Sequence, residues 1–114
     1  MRAPILSLVV SLLIAGCGGG GSALTVQVFR PRGSLQCVGG GSSIDGMRRQ
    51  LVDAGIEVSA ATCGTDGRVY PAVCGAPDGA IGVFEIPLAQ LEAAAALLFA
   101  PLSTLDTARA MPCT

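Results

Sequence analysis

The chain has 114 residues, is 51% hydrophobic and carries a formal net charge of −1, which leaves room for one small domain. It contains no His, Lys, Trp or Asn, so the commonest general base and the commonest neutral metal ligand are both missing. Scattered arginines on a slightly acidic chain give no electrostatic footprint for nucleic acid.

The N-terminus reads as an address. Arg2 supplies a positive charge, Ile5 to Leu13 form an apolar run, and a small-residue junction ends in cysteine. The run is too short for a typical membrane-spanning helix and suits the core of a signal peptide. The junction Ile14-Ala15-Gly16-Cys17 resembles the lipobox of bacterial lipoproteins. That resemblance implies cleavage before Cys17 and acylation of its thiol, with the new N-terminus acylated as well. Several acyl chains give stable anchoring where one does not. Residues 1–16 are then the signal peptide, 17–23 a lipidated Gly-rich tether, and 24–114 the domain. Loss of Arg2 leaves six Arg against eight Asp plus Glu, a mature charge of −2. Gly18 is not the aspartate that marks inner-membrane retention. The resemblance therefore places the chain in the cell envelope, on the outer membrane facing the periplasm.

Residues 24–30 alternate apolar and polar and predict a strand, followed by a Gly-rich loop, 31–42, that carries Cys37. Gly39 to Gly41 lack the lysine and the spacing of a phosphate cradle. A helix is predicted from about Ser43 to Ala54. Ser42 and Asp45 resemble a capping box, Ile44, Met47 and Leu51 form the buried stripe, and Gly55 is the stop. Strand character resumes over Ile56 to Thr62.

Cys63 to Gly79 read as a long turn-rich connection, in which "CGTDG" is echoed by "CGAPDG". A connection of this length is usually functional, and Arg68 and Tyr70 are its candidates for partner contact. Their alternative role is ordinary loop packing. Ala80 to Ile86 predict a central strand. Pro87 opens a helix with Leu88, Leu91, Ala95 and Leu98 buried, and Pro101 ends it. "LSTL" reads as a short edge strand, after which the tail runs to Cys113.

Strand–helix–strand–strand–helix–strand predicts an α+β fold, a small ferredoxin-like split βαβ sandwich of two layers. Right-handed crossovers bring the 31–42 and 63–79 loops to one end of the sheet, and with them Cys37, Cys63 and Cys74. With Cys17 lipidated, four cysteines remain, enough for two disulfides in any of three connectivities. The favoured pairs are Cys63–Cys74, which closes a short loop, and Cys37–Cys113. A strand over residues 68–74 would instead hold Cys63 and Cys74 apart. No C-x-x-C occurs, so no metal site or cofactor is expected.

Cys63, Tyr70 and Cys74 also match the spacing of one part of a Kazal protease inhibitor, with "CGTDG" as the turn before the tyrosine. The resemblance covers twelve residues. It implies an inhibitory loop over the segment before and around Cys63, and a pattern in which Cys63 and Cys74 bond to other cysteines. The chain departs from the family at Gly55, where its second cysteine would stand, and at Ala72, where an asparagine would brace the loop. The eight carboxylates form no close cluster beyond the turn residues Asp66 and Asp78, and no histidine activates Ser42 or Ser43. The leading expectation is a non-catalytic envelope lipoprotein, structural or partner-binding, with the Kazal-like inhibitor as the alternative.

Overall fold

The structure, a computed structural model, describes residues 24–114. The expected signal peptide, Cys17 and the tether lie outside the described residues. The chain forms an α+β fold of one five-stranded antiparallel sheet, two short helices and two disulfides. In chain order the elements are β1 (Thr25–Pro31), α1 (Ile44–Asp53), β2 (Ala60–Thr65), β3 (Ala80–Pro87), α2 (Leu91–Ala96), β4 (Ala100–Pro101) and β5 (Arg109–Met111). Across the sheet the strands run β4-β1-β3-β2-β5.

β3 is the central strand, as its continuous apolar run predicts, and it pairs with β1 along its whole length. Alternation sends Phe84 and Ile86 to one face and Ile81 and Val83 to the other. On the first face Val28 and Val26 stand opposite Phe84 and Ile86. Met47 and Leu51 of α1, with Ala94 and Phe99 from the second helical region, close over them as the main core. Phe84 and Phe99 meet edge to face with centroids 5.6 Å apart. α1 approaches closely because Gly82 has no side chain: a Cβ there would sit 2.9 Å from the Met47 sulfur. Arg30 ties β1 to both helical regions, donating to the Leu97 carbonyl and the Gln50 side chain while lying 4.5 Å above the Phe99 ring.

α1 follows its predicted stripe, with Met47 and Leu51 buried and Ile44 partly so. Its N-cap is Ser43 rather than Ser42. The Ser43 hydroxyl accepts the Gly46 amide at 2.9 Å, one residue later than the capping-box reading. Gly55 ends the helix at φ +81°, as expected. The strand expected from Ile56 begins only at Ala60. Ile56 turns into the core, and the Glu57 amide is taken by Gln90.

The second helix departs further from expectation. After a 3-10 turn at Leu88–Gln90 it runs only from Leu91 to Ala96. Of the predicted buried face, Leu91 is partly buried, whereas Leu88, Ala95 and Leu98 are exposed. Leu98 takes the left-handed position that usually belongs to glycine, at φ +69°. The amides of Leu97, Leu98 and Phe99 close on the Ala94 and Ala95 carbonyls, and the reversal drives Phe99 into the core. Burying an aromatic ring offsets the strain of one left-handed leucine.

The largest difference lies after Pro101. "LSTL" is not a strand: Leu102–Thr104 form a 3-10 turn. β4 and β5 occupy opposite edges of the sheet, so residues 102–108 must span four strand spacings, about 19 Å. Seven extended residues reach about 23 Å. This strap crosses the face away from the helices, where Leu105 lines clefts with Gln27 and Phe29 of β1. It accounts for the burial of Ile81 and Val83, which lie outside the main core. The expected two layers thus gain a third covering.

The cysteine pairing also differs from the favoured one. Cys37 bonds to Cys74 and Cys63 to Cys113, with Cα separations of 5.1 and 5.0 Å. Cys63 lies inside β2 rather than at the start of a loop, and it pairs laterally with Met111 of β5. Cys113, two residues beyond Met111, falls on the same side of the sheet and is its natural partner. Cys74 is brought to Cys37 instead by the bonds Gly75 N–Gln36 O and Gln36 N–Ala76 O.

Candidate functional site

Of the two loops expected to meet, 31–42 and 63–79, the parts 31–42 and 66–79 come together at one end of the sheet, whereas Cys63 lies within β2 and bonds to Cys113. Arg32 donates to the Ala80 carbonyl, Leu35 bridges to Pro77, and the Cys37–Cys74 bond joins the two outer turns. The Gln36 side-chain amide donates to the carbonyls of Pro71 and Pro77, at 2.9 and 3.1 Å. These contacts make a compact lobe. Residues 24 and 88 lie at the other end of the sheet, joined by Leu88 N–Leu24 O.

Asp66 organises the lobe. It is 5% exposed, with one carboxylate oxygen accepting the Arg68 amide and the other the Tyr70 hydroxyl at 2.5 Å. Its own amide reaches the Gly79 carbonyl, and its carbonyl accepts the Thr107 hydroxyl of the strap at 2.6 Å. Gly67 is required beside it, at φ +69°, because a Cβ would collide with the Thr107 carbonyl. Asp66 does bond nearby backbone, as a turn aspartate should, but it also fixes an aromatic side chain and the strap.

A small recess lies beside this hub, lined by Ser34, Asp66, Tyr70 and Asp78 among others. Ser34 is 6% exposed and lies beside Asp78 in this recess. Burial alone would raise the Asp78 carboxyl. The neighbouring Ser34 hydroxyl, the Ala80 amide and the positive charge of Arg32 outweigh it and hold the group below its ordinary value.

The two residues singled out for partner contact have different roles. Tyr70 is half-buried and committed to Asp66. Arg68 is exposed, and its side chain makes no hydrogen bond or ion pair among the described residues. Between them Val69 is 98% exposed. Val38 and Val73 are also exposed on the lobe, so its surface mixes apolar side chains with a cation.

The hydrogen bond to Asp66, then burial, then the aspartate charge raise the Tyr70 pKa above its usual value, with Arg68 opposing. A raised tyrosine pKa favours the neutral hydroxyl in the fold. The contribution is therefore complete below the unfolded value of about 10 and is lost as pH climbs through the folded value. Tyr70 is the single tyrosine, and there is no tryptophan, so absorbance reads it alone. Spectrophotometric titration is expected to give a midpoint above that of free tyrosine, moving down in Asp66→Asn. A midpoint at the free value in the native protein would refute the Tyr70–Asp66 bond.

The segment that the Kazal resemblance would present as an inhibitory loop is largely β2, bonded to β3 from Ala60 to Thr65, with Ile56 buried before it. Cys63 and Cys74 do bond to other cysteines, as that pattern requires. Ser34 and Thr107 were not legible as parts of this site, because both arrive from segments remote in sequence. Among the described residues no group of three or more Cys, Asp or Glu could hold a metal ion, and no helix is long and apolar enough to cross a membrane. No protein-family model, curated protein or solved structure matches the chain.

Proposed function

We propose that the chain is a non-catalytic lipoprotein of the bacterial envelope, anchored through acylated Cys17 on the outer membrane and facing the periplasm. Its disulfide-braced lobe is the partner-binding face. The observation that carries this reading is the placement of the two ends. The chain leaves the tether at Leu24 and reaches the lobe only after Pro31, so a seven-residue strand of about 23 Å separates them. The lobe is held in shape by a disulfide and by side-chain bonds to backbone, which lowers the ordering cost of binding. The finer fold reading is the ferredoxin-like split βαβ. It is supported by the order β4-β1-β3-β2 with antiparallel neighbours throughout, to which β5 and the strap are additions. Fold alone assigns no role.

The anchoring is tested by detergent-phase partitioning and mass spectrometry of the N-terminal peptide from the protein in its host. The wild type is expected in the detergent phase with a diacylglyceryl group and an acyl chain on Cys17. Cys17→Ser is expected to remain an uncleaved precursor without lipid. A mature protein that starts elsewhere, or carries a free Cys17 thiol, would refute the reading.

A further inference from the structure

We infer that Gly67–Val73 form a substrate-like loop for a trypsin-class serine protease, with Arg68 filling the primary specificity pocket and Arg68–Val69 as the bond presented. This rests on the reading of the lobe as the partner-binding face and names the class of that partner.

Backbone pairing singles out the bond. The described residues hold six arginines. Arg30 and Arg109 lie in strands, Arg48 and Arg49 lie in α1, and Arg32 has both its amide and its carbonyl paired. Arg68 sits in a longer stretch with no strand, helix, turn or bend, from Asp66 to Pro71, and unlike that of Arg32 its carbonyl is unpaired among the described residues. The Arg68 carbonyl and the amide and carbonyl of Val69 have no partners among the described residues. A segment with free main-chain groups can pair with the edge of a protease cleft, as other recognised peptides do. The cationic side chain next to a fully exposed valine completes the match to an arginine-specific site.

The loop is nonetheless held at both ends. Asp66 fixes the entry through the Arg68 amide and the Tyr70 hydroxyl. At the exit, Gln36 holds the Pro71 carbonyl, and Cys74 is bonded to Cys37. This bracing reduces the freedom lost on docking.

The disulfides then decide the outcome of cleavage. A cut between Arg68 and Val69 divides the chain so that Cys37 and Cys63 fall on one side and Cys74 and Cys113 on the other. Both bonds, Cys37–Cys74 and Cys63–Cys113, cross the cut. The protease hydroxyl adds to the Arg68 carbonyl carbon, and the C–N bond breaks as a proton passes to the Val69 nitrogen. Water can then take the acyl group and leave an Arg68 carboxylate. Alternatively the Val69 amine attacks it, restores the peptide bond and returns its proton to the enzyme. Because the amine is tethered beside the acyl group, its effective concentration is high and resynthesis competes with hydrolysis.

The test uses the full mature protein in detergent, with the lipid state of Cys17 read by mass spectrometry on the same sample, so that failure of anchoring is seen separately. It is incubated with trypsin and a chromogenic arginine substrate, beside Arg68→Ala and Arg109→Ala. The expected result is slowed substrate turnover and a single cut at Arg68–Val69 that stalls as a mixture of intact and cut chains, separable only after reduction. Arg68→Ala should weaken inhibition by at least about thirtyfold, the scale of a hot-spot truncation, and Arg109→Ala should not. Unchanged inhibition in Arg68→Ala, first cleavage at another arginine, or complete cutting without slowed turnover would each overturn the proposal.

Discussion

Replacing Phe84 with alanine is expected to destabilise the domain by about 3–5 kcal/mol, the range for removing a buried aromatic ring. Phe84 is fully buried on the central strand, faces Val28 across the ladder and packs edge to face on Phe99. The loss therefore removes apolar contact, an aromatic pair and the support of the chain reversal at Leu98. Domains of this size have unfolding free energies of about 5–15 kcal/mol, so the variant is left marginal. Denaturant unfolding of the oxidised protein, followed by far-ultraviolet circular dichroism, measures it. Phe84→Leu, which keeps most of the volume, should lose much less. A loss below about 1 kcal/mol in Phe84→Ala would place the centre of the core elsewhere.

The second large effect belongs to the Cys63–Cys113 bond. Its sequence separation of 50 corresponds, in the chain-entropy model, to about 4 kcal/mol of stabilisation, so Cys63→Ser with Cys113→Ser should lose much of that. The structural consequence is more specific than the magnitude. β5 has only three residues, and Cys113 fastens the chain just beyond it. Without that bond β5 and the strap can peel from the sheet and uncover Ile81 and Val83. Hydrogen exchange should then rise at Thr65 and Arg109, which pair across the β2–β5 ladder, while the Leu35–Gly39 turn stays protected by Cys37–Cys74. Exchange that rises in the lobe instead would contradict the placement of the strap.

Local pattern and tertiary burial agree in three segments of the chain. β1 alternates, β3 is continuously apolar, and α1 carries Met47 and Leu51 one turn apart with Gly55 after them. Each of these segments states its own structure within a dozen residues. The shared loop end was also legible, because strand–helix–strand order fixes which connections lie together. What failed depends on partners remote in sequence. β5 has no apolar pattern of its own and exists because β2 offers it an edge. Leu98 accepts a left-handed backbone only because Phe99 has a place against Phe84. The short Cys63–Cys74 loop suggested a local staple, but Cys63 belongs to β2, where Met111 and then Cys113 run beside it. In the lobe, Arg68 and Tyr70 were visible as exposed-loop candidates. The separation of their roles required Asp66, and Thr107 from the strap, to be seen next to them.

The most direct test of a lipid-anchored module with this pairing is peptide mapping, without reduction, of protein extracted from its host membranes and alkylated beforehand. Once the protein is denatured, cleavage after Arg48, Arg49, Arg68 and Arg109 puts Cys37, Cys63, Cys74 and Cys113 on separate peptides. The account predicts two crosslinked pairs, Cys37 with Cys74 and Cys63 with Cys113, together with a lipid-modified Cys17. A Cys63–Cys74 crosslink, alkylated thiols at any of the four positions, or an unmodified Cys17 would contradict it.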